Sequence, residues 1–470
     1  MHLNKKDFSI YFSAAFAFFL PLMMAGVYYR DDLDRATTGY FGWSALGRPF
    51  ADLILVLFSS SSTHAVDLFP LSIVYTAVFI ALAAYFLGCY LKRSGEVNYR
   101  LISAMIIFNP FYLQNVAYRF DSIGMSLAFA LSVFSFCFFS KSIAVKYTVS
   151  VISLILALST YQTCTNVFIA LIGFEALILL KNKSYTDVFK TVASRCLVFI
   201  TAYLMYLVSI SKIFASGNSR AETISFGEIG LLGNTLSRLN HFVLSYFEGL
   251  NLIYFAIALL LGMVVYFTKN IKTGAFKITL SIFIVFLSLY VSLLGPAVLL
   301  KSAPIAPRTL VSFSMIFVVI TYMLSHINIT RFIAFLPVIS VFAFSANVAN
   351  AMKLQRDYEQ VVFSGVKSDL RNINDIKDVR FVGTVNYSPM TSRIVSGRKV
   401  YEPFVSRASE WIAAFQLNEM GVKNVYLGYG KDRHNRELLR SIKSKPFAKN
   451  DDYSIFFDGK TAVIVLGDGR

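Results

Sequence analysis

The sequence predicts a polytopic α-helical membrane protein with a small C-terminal α/β domain outside the membrane, and three observations predict it. The 470 residues are 56% hydrophobic and only 15% charged, with a mean hydropathy of +0.60, which is too apolar for a soluble domain. Apolar runs long enough to cross a bilayer recur through residues 1–350, separated by short basic loops. From about Ala351 the composition turns abruptly charged and mixed. In a soluble protein the formal net charge of +17 would suggest nucleic acid. Here the basic residues lie between apolar runs and in the C-terminal segment, so topology and anionic lipid account for them. Cys89, Cys137, Cys164 and Cys196 sit in or beside apolar runs without CxxC or Cys/His spacing, which indicates neither a disulfide nor a zinc site.

The basic N-terminus, MHLNKKDF, leads into the first apolar run with no small-residue cleavage site and reads as a retained signal anchor. Counting runs gives about eleven spans, near residues 8–29, 71–91, 101–118, 123–139, 147–160, 165–180, 196–214, 250–267, 278–300, 309–324 and 332–349. The two short runs flanking Tyr161 and Gln162 read either as helices that stop at a cavity in the membrane or as one long helix. With a cytoplasmic N-terminus, fifteen loop Lys and Arg lie inside and eight outside: Arg30, Arg35, Arg48, Arg119, Arg220, Arg238, Lys301 and Arg308. An odd number of spans then puts the C-terminus outside. Seven of those eight are Arg, whose rigid fork suits phosphate and carboxylate, whereas Lys suffices as a topological charge.

Residues 51–58 are too short to span and are expected to form a helix lying in the outer interface. The loop at 215–249 mixes glycine with an amphipathic stretch, which offers a second interfacial helix over a site. The transmembrane module is placed at 1–350, with its first outer loop, 30–70, carrying the chemistry. The outer soluble domain is placed at 351–470. Within it helices are expected at 353–372, 406–420 and 432–443, strands at 379–385 and 423–427, and a hairpin of 453–457 with 461–466 around Asp458 and Gly459. There is no internal repeat and no phosphate-loop or dinucleotide fingerprint.

Residues 28–50, YYRDDLDRATTGYFGWSALGRPF, concentrate the polar chemistry. Moving a sugar from a lipid phosphate to a hydroxyl needs a carboxylate for the proton, positive or hydrogen-bonding groups for the departing phosphate, and flat surfaces for sugar rings. Asp31 and Asp32 are the base candidates, because adjacent carboxylates repel and the one in the drier place has its pKa raised. Arg48, beside Pro49, suits a phosphate oxygen, and Tyr40 and Trp43 are sugar platforms; Asp34 and Arg35 read as structural. The competing reading is interfacial anchoring with local ion pairs. In YRFD, Arg119 and Asp121 either pair with each other or join the site, Arg119 at a phosphate and Asp121 beside the other carboxylates. Tyr161 and Gln162 are polar at membrane depth, so they either bond helix to helix or face substrate in a cavity. In KSAPIAPR, Pro304 and Pro307 stiffen the loop ahead of Arg308, which meets a lipid phosphate or snorkels from a tight turn. Glu175 reads as an ion pair with Lys181 or Lys183. His64, His241, His326 and His434 show no metal-ligand spacing.

The run DDLDRATTGYFGWSALGRPFADL resembles the signature of the type II glucosyl transferase family, phage- and bacterium-encoded enzymes that modify O-antigen and change serotype. YRFDS, STYQT and APRTL are similar to that family's pattern, in matching order. The resemblance covers residues 8–349 and leaves the C-terminal domain unmatched, as befits a part that varies with the acceptor. It implies a GT-C architecture, a polyprenyl-phosphate sugar as donor (commonly undecaprenyl-phosphate glucose), lipid-linked O-antigen as acceptor, and inverting transfer on the periplasmic face of the bacterial inner membrane. Members resemble one another in using an acidic residue of the first outer loop. Carried over, that role falls on Asp31 and Asp32, with Arg48, Arg119, Asp121 and Arg308 as supporting positions. A divalent metal stays open, since one acidic pair is a thin site for Mg²⁺. A transporter or flippase of lipid-linked sugars, or an O-antigen polymerase or ligase, remains the alternative; the lack of repeats and the crowding of carboxylates at one outer surface speak against a transporter.

Overall fold

The structure, a computed structural model, describes residues 4–215, 222–373 and 375–467. Arg220 and the start of the 215–249 loop, expected on the outer face, lie outside the described residues. Apolar segments must satisfy their backbone polar groups internally, and most of this chain does so as helix. Among the described residues, seven helices are long and apolar enough to cross a membrane: Lys5–Ala25, Leu71–Arg93, Gln162–Leu179, Tyr185–Phe214, Leu250–Thr273, Ala275–Leu299 and Thr330–Leu370. Pro49–Ser59, Ser122–Cys137, Ile143–Leu158 and Val311–Leu324 are apolar but shorter.

These seven long helices leave the expected count of about eleven spans unconfirmed. The runs at 123–139, 147–160 and 309–324 form only the shorter helices, and the run at 101–118 breaks. Helix Tyr99–Ala104 tightens into a 3-10 turn, Met105–Ile107, and helix resumes only at Leu113–Ala117. Pro110 explains the break: it has no N–H to donate and disfavours helix at Asn109 before it. The Asn109 side chain then serves the exposed backbone, donating to the carbonyls of Leu310 and Val311 at 3.0 Å each. At Tyr161 the chain is extended (φ −155), so Ile143–Leu158 and Asn166–Leu179 are separate helices and the single-helix reading fails. The run at 51–58 is a helix, Pro49–Ser59, with Pro49 at the first turn where its missing N–H costs nothing.

The chain divides into two compact units. The first holds Met1–Met23, Phe41–Ser62 and Leu68–Ala346. In it Leu71–Arg93 packs on Ser122–Cys137, and Ala275–Leu294 on Asn166–Leu179. Gly173 permits the second contact, since a Cβ there would collide with Ser288. Glu175 is an ion-pair residue as expected, but its partner is Arg195 at 2.9 Å, not Lys181, which pairs with Glu96 at 3.4 Å. Both members are buried and satisfied: Tyr90 donates to Glu175 at 2.9 Å, and Arg195 donates to the Phe136 carbonyl at 2.9 Å.

The second unit holds Met24–Tyr40, Thr63–Asp67 and Asn347–Arg470. Its sheet contains β1 (Asp378–Gly383), β2 (Ala448–Lys449), β3 (Tyr453–Phe457) and β4 (Thr461–Leu466) in the order β1-β4-β3-β2. β1 and β4 are parallel and the other pairs antiparallel. Val379, Phe381, Ile455 and Ile464 bury one sheet face with Phe363 and Val366 of the long helix. The expected hairpin forms, with Asp458 accepting the N–H groups of Lys460 (3.1 Å) and Thr461 (2.8 Å) and Gly459 at φ 92. Helices Glu410–Glu419 and Asp432–Ser441 match expectation. The stretch 353–372 is helical as expected, as the end of the long helix Phe335–Leu370. One expectation fails: 423–427 gives only a bridge, Val379 to Val425, because Asn424 turns to φ 64 and interrupts the extended chain.

Removing one partner of the Glu175–Arg195 pair leaves a buried charge uncompensated. Glu175→Ala is expected to cost about 3–5 kcal/mol, read as a lowered thermal midpoint of the detergent-solubilised protein. An unchanged midpoint would contradict the pair's role.

Candidate active site

The acidic segment folds within the second unit. The chain turns at Arg30 (φ 49), Asp31 takes the N-cap position, and helix Asp32–Thr38 ends at Gly39, whose left-handed φ of 71 lets its N–H return to the Arg35 carbonyl at 2.7 Å. Asp32 is buried and accepts the Tyr29 N–H at 3.1 Å. Asp34 is buried, accepts the Tyr429 hydroxyl, and is bonded by Thr38 at 3.4 Å. Burial raises the Asp34 pKa, while the hydrogen bonds from Tyr429 and Thr38 pull it down. Arg35 donates to the Tyr40 carbonyl at 3.1 Å, with its guanidinium 4.3 Å from the Tyr40 ring centre and 3.7 Å from Asp31. Asp31 alone of the three keeps an accessible carboxylate, its side chain 35% exposed. The helix packs against Glu410–Glu419, and the Tyr29 hydroxyl donates to the Pro403 carbonyl at 2.9 Å.

In the first unit a second set of residues lines an open pocket. Trp43, Arg48, Asp121 and Tyr161 supply its polar and aromatic lining, and Ile54, Leu55, Phe58 and Phe120 part of its apolar wall. Asp52, on the first turn of Pro49–Ser59, accepts the N–H groups of Gly42 (3.1 Å), Trp43 (3.1 Å) and Ser44 (2.7 Å), which fixes the turn that presents the indole. The indole N–H donates to Asp121, at the N-terminus of Ser122–Cys137. Arg48 lies 4.6 Å from the Tyr161 ring centre and donates through Nε to Gln162 at 2.7 Å. Its Nη1 and Nη2 have no hydrogen-bond partner among the described residues. Gln162 is itself held, donating to the Leu46 carbonyl (3.2 Å) and the Tyr206 hydroxyl (2.8 Å). Tyr206 in turn donates to the carbonyl of Gly47, where a Cβ would come within 2.5 Å of that hydroxyl.

The structure therefore brings Trp43, Arg48, Asp121 and Tyr161 to one pocket, with Gln162 behind Arg48. Asp31, Asp32 and Tyr40 belong to the second unit. The Arg308 segment is tied in through its backbone: its carbonyl accepts the Tyr161 hydroxyl at 3.4 Å and its N–H donates to Gln114 at 2.9 Å. Its guanidinium donates to the Tyr118 hydroxyl, and the Arg119 guanidinium lies 4.2 Å from the Phe69 ring centre. Neither guanidinium is part of the pocket lining. Sequence reasoning missed Asp52, Gln114 and Tyr206. Asp52 had a signal, a carboxylate in the first turn of a Pro-initiated helix; Tyr206 lies inside an apolar run and has none. Among the described residues no group of three or more His, Cys, Asp or Glu is placed to hold a metal ion.

A family model described as Glucosyl transferase GtrII matches residues 20–324. A Salmonella phage P22 protein, described as an uncharacterized 55.3 kDa protein in the gtrB 5′ region, is 27% identical over 496 aligned residues, which cover 99% of each chain. No solved structure matches.

The chain has two tryptophans, so in a Trp411→Phe background emission reports Trp43 alone. Adding Asp52→Ala is expected to shift that emission to the red, because three backbone N–H groups lose their acceptor. Unchanged emission would mean that Asp52 does not fix the indole.

Proposed function

The chain belongs to the glucosyl transferase GtrII family, and we propose that it moves glucose from a polyprenyl phosphate, such as undecaprenyl phosphate, to a hydroxyl of a lipid-linked O-antigen repeat. The observation that carries this reading is the family match, whose residues 20–324 include both the acidic segment and the whole pocket lining. The reaction runs on the periplasmic face of a bacterial inner membrane, with the N-terminus in the cytoplasm; the P22 relative, described by its place next to gtrB, fits a phage-borne serotype-converting enzyme.

Each residue has a part in this reading. The pocket beside Arg48 receives the donor's phosphate and sugar. The two free guanidinium nitrogens of Arg48 meet phosphate oxygens, and its Gln162 and Tyr161 contacts hold it for that task. The faces of Trp43 and Tyr161 receive the sugar ring, and Asp121 accepts from sugar hydroxyls. Asp31 takes the proton from the acceptor hydroxyl, whose oxygen attacks the anomeric carbon as the bond to the phosphate oxygen breaks. One in-line displacement inverts that carbon. Asp32, buried on the Tyr29 N–H, positions the turn instead of meeting substrate. Tyr40, 38% exposed with the Arg35 guanidinium on its ring, offers a face to the acceptor, and Arg119 and Arg308 serve the lipid phosphate.

Purified protein given radiolabelled undecaprenyl-phosphate glucose and lipid-linked O-antigen is expected to transfer label. Asp31→Asn should slow transfer by about 10²–10⁴-fold, while Asp32→Asn, which keeps an acceptor for the Tyr29 N–H, should slow it less. Arg48→Ala should raise the donor KM. Wild-type transfer by Asp31→Asn would remove it as the base, and donor crossing liposomes without any transfer would replace the enzyme reading with a transporter.

A further inference from the structure

The second unit contains a separate pocket, which the proposed mechanism does not use. Trp411 and Tyr426 give it aromatic walls, and Glu410, Lys431, Arg380 and Asn435 give it polar ones. The Trp411 ring lies 4.7 Å from that of Tyr429, which is 51% exposed, so the aromatic surface continues beyond the pocket mouth. Arg380 is engaged already: it donates to Asp378 at 2.6 Å and Asn435 at 3.2 Å, with its guanidinium 4.4 Å from the Tyr426 ring centre. Asp432 is bonded to Glu410 and paired with Arg436 at 2.7 Å.

This chemistry selects among ligands. An anion is disfavoured, since the Arg of the site is spent on Asp378 and Glu410 is bonded to Asp432. An acyl chain would strand the polar groups. A polyhydroxylated ring satisfies both halves, laying C–H faces on the aromatics while its hydroxyls meet carboxyl and ammonium groups. Burial and the neighbouring Asp432 push Glu410 up to about 8, so at neutral pH it holds a proton, which it donates to Asp432, and its other oxygen is left to accept from a sugar hydroxyl. The acidic helix Asp32–Thr38 packs on the helix carrying Glu410 and Trp411, and Tyr429 donates to Asp34.

We propose that the pocket between Trp411, Tyr426 and Glu410 is a saccharide-binding subsite that holds the acceptor glycan in the same unit as Asp31. As an acceptor subsite it rests on the transferase reading, but as a saccharide site it stands on its own geometry. The probe is a panel of lipid-free O-polysaccharides, released by mild acid from lipopolysaccharides of several serotypes and titrated into full-length Trp43→Phe protein, whose one tryptophan is Trp411. At least one polysaccharide is expected to change the emission saturably, and Glu410→Gln should raise the half-saturation concentration about tenfold. If Trp43→Phe fails to fold, calorimetry of wild type against Trp411→Ala takes its place, with binding lost in the variant as the expected result. No response across the panel overturns the subsite; if wild type still transfers glucose, the transferase reading survives that loss. A response without any transfer keeps the saccharide site and removes the transferase reading.

Discussion

The Tyr429 hydroxyl donates to Asp34 where the helix Asp32–Thr38 packs on Glu410–Glu419. Seven residues are too few for a helix to persist in water, so this one exists through its burial. That burial takes Asp32 and Asp34 out of water, which is costly unless each finds a donor. Tyr29 and Tyr429 supply those donors. The consequence is a division among three clustered carboxylates: two are consumed in holding the turn, and Asp31 stays accessible at its start.

A second anchoring carboxylate does comparable work in the other unit. Asp52 gathers three consecutive N–H groups and so sets the turn carrying Trp43, while Gln162 and Tyr206 set Arg48. The break after Leu158 is what makes Tyr161 and Gln162 available, since a continuous helix would have spent their backbone on itself. In the proposed reading Arg48 meets the donor phosphate and Asp31 takes the proton of the acceptor. The family match ends at residue 324, before most of the second unit, which suits a part tuned to the acceptor.

The membrane class, the hairpin at Asp458 and most helices were legible because hydrophobic runs and turn residues are local signals. The break within 101–118 was not, because a hydropathy count passes over the single Pro110 that interrupts an otherwise apolar run. Nor did 423–427 announce that Asn424 would leave the extended region. For the candidate site, residue type and clustering picked out Trp43, Arg48, Asp121 and Tyr161, which the fold gathers at one pocket, and Gln162, which bonds Arg48. The assignment of Asp31 and Trp43 to different units was invisible, because it turns on tertiary contacts with residues near 400–430. The pocket at Trp411 was invisible for the same reason: its walls come from four separate segments.

The measurement that tests the account most directly is the steady-state transfer rate of Tyr429→Phe, which removes one hydroxyl and keeps the ring. If the second unit presents Asp31 through the Asp34 contact, turnover falls while the donor KM stays at the wild-type value. Wild-type turnover in a variant shown to be folded would contradict the claim that this hydrogen bond holds the catalytic segment.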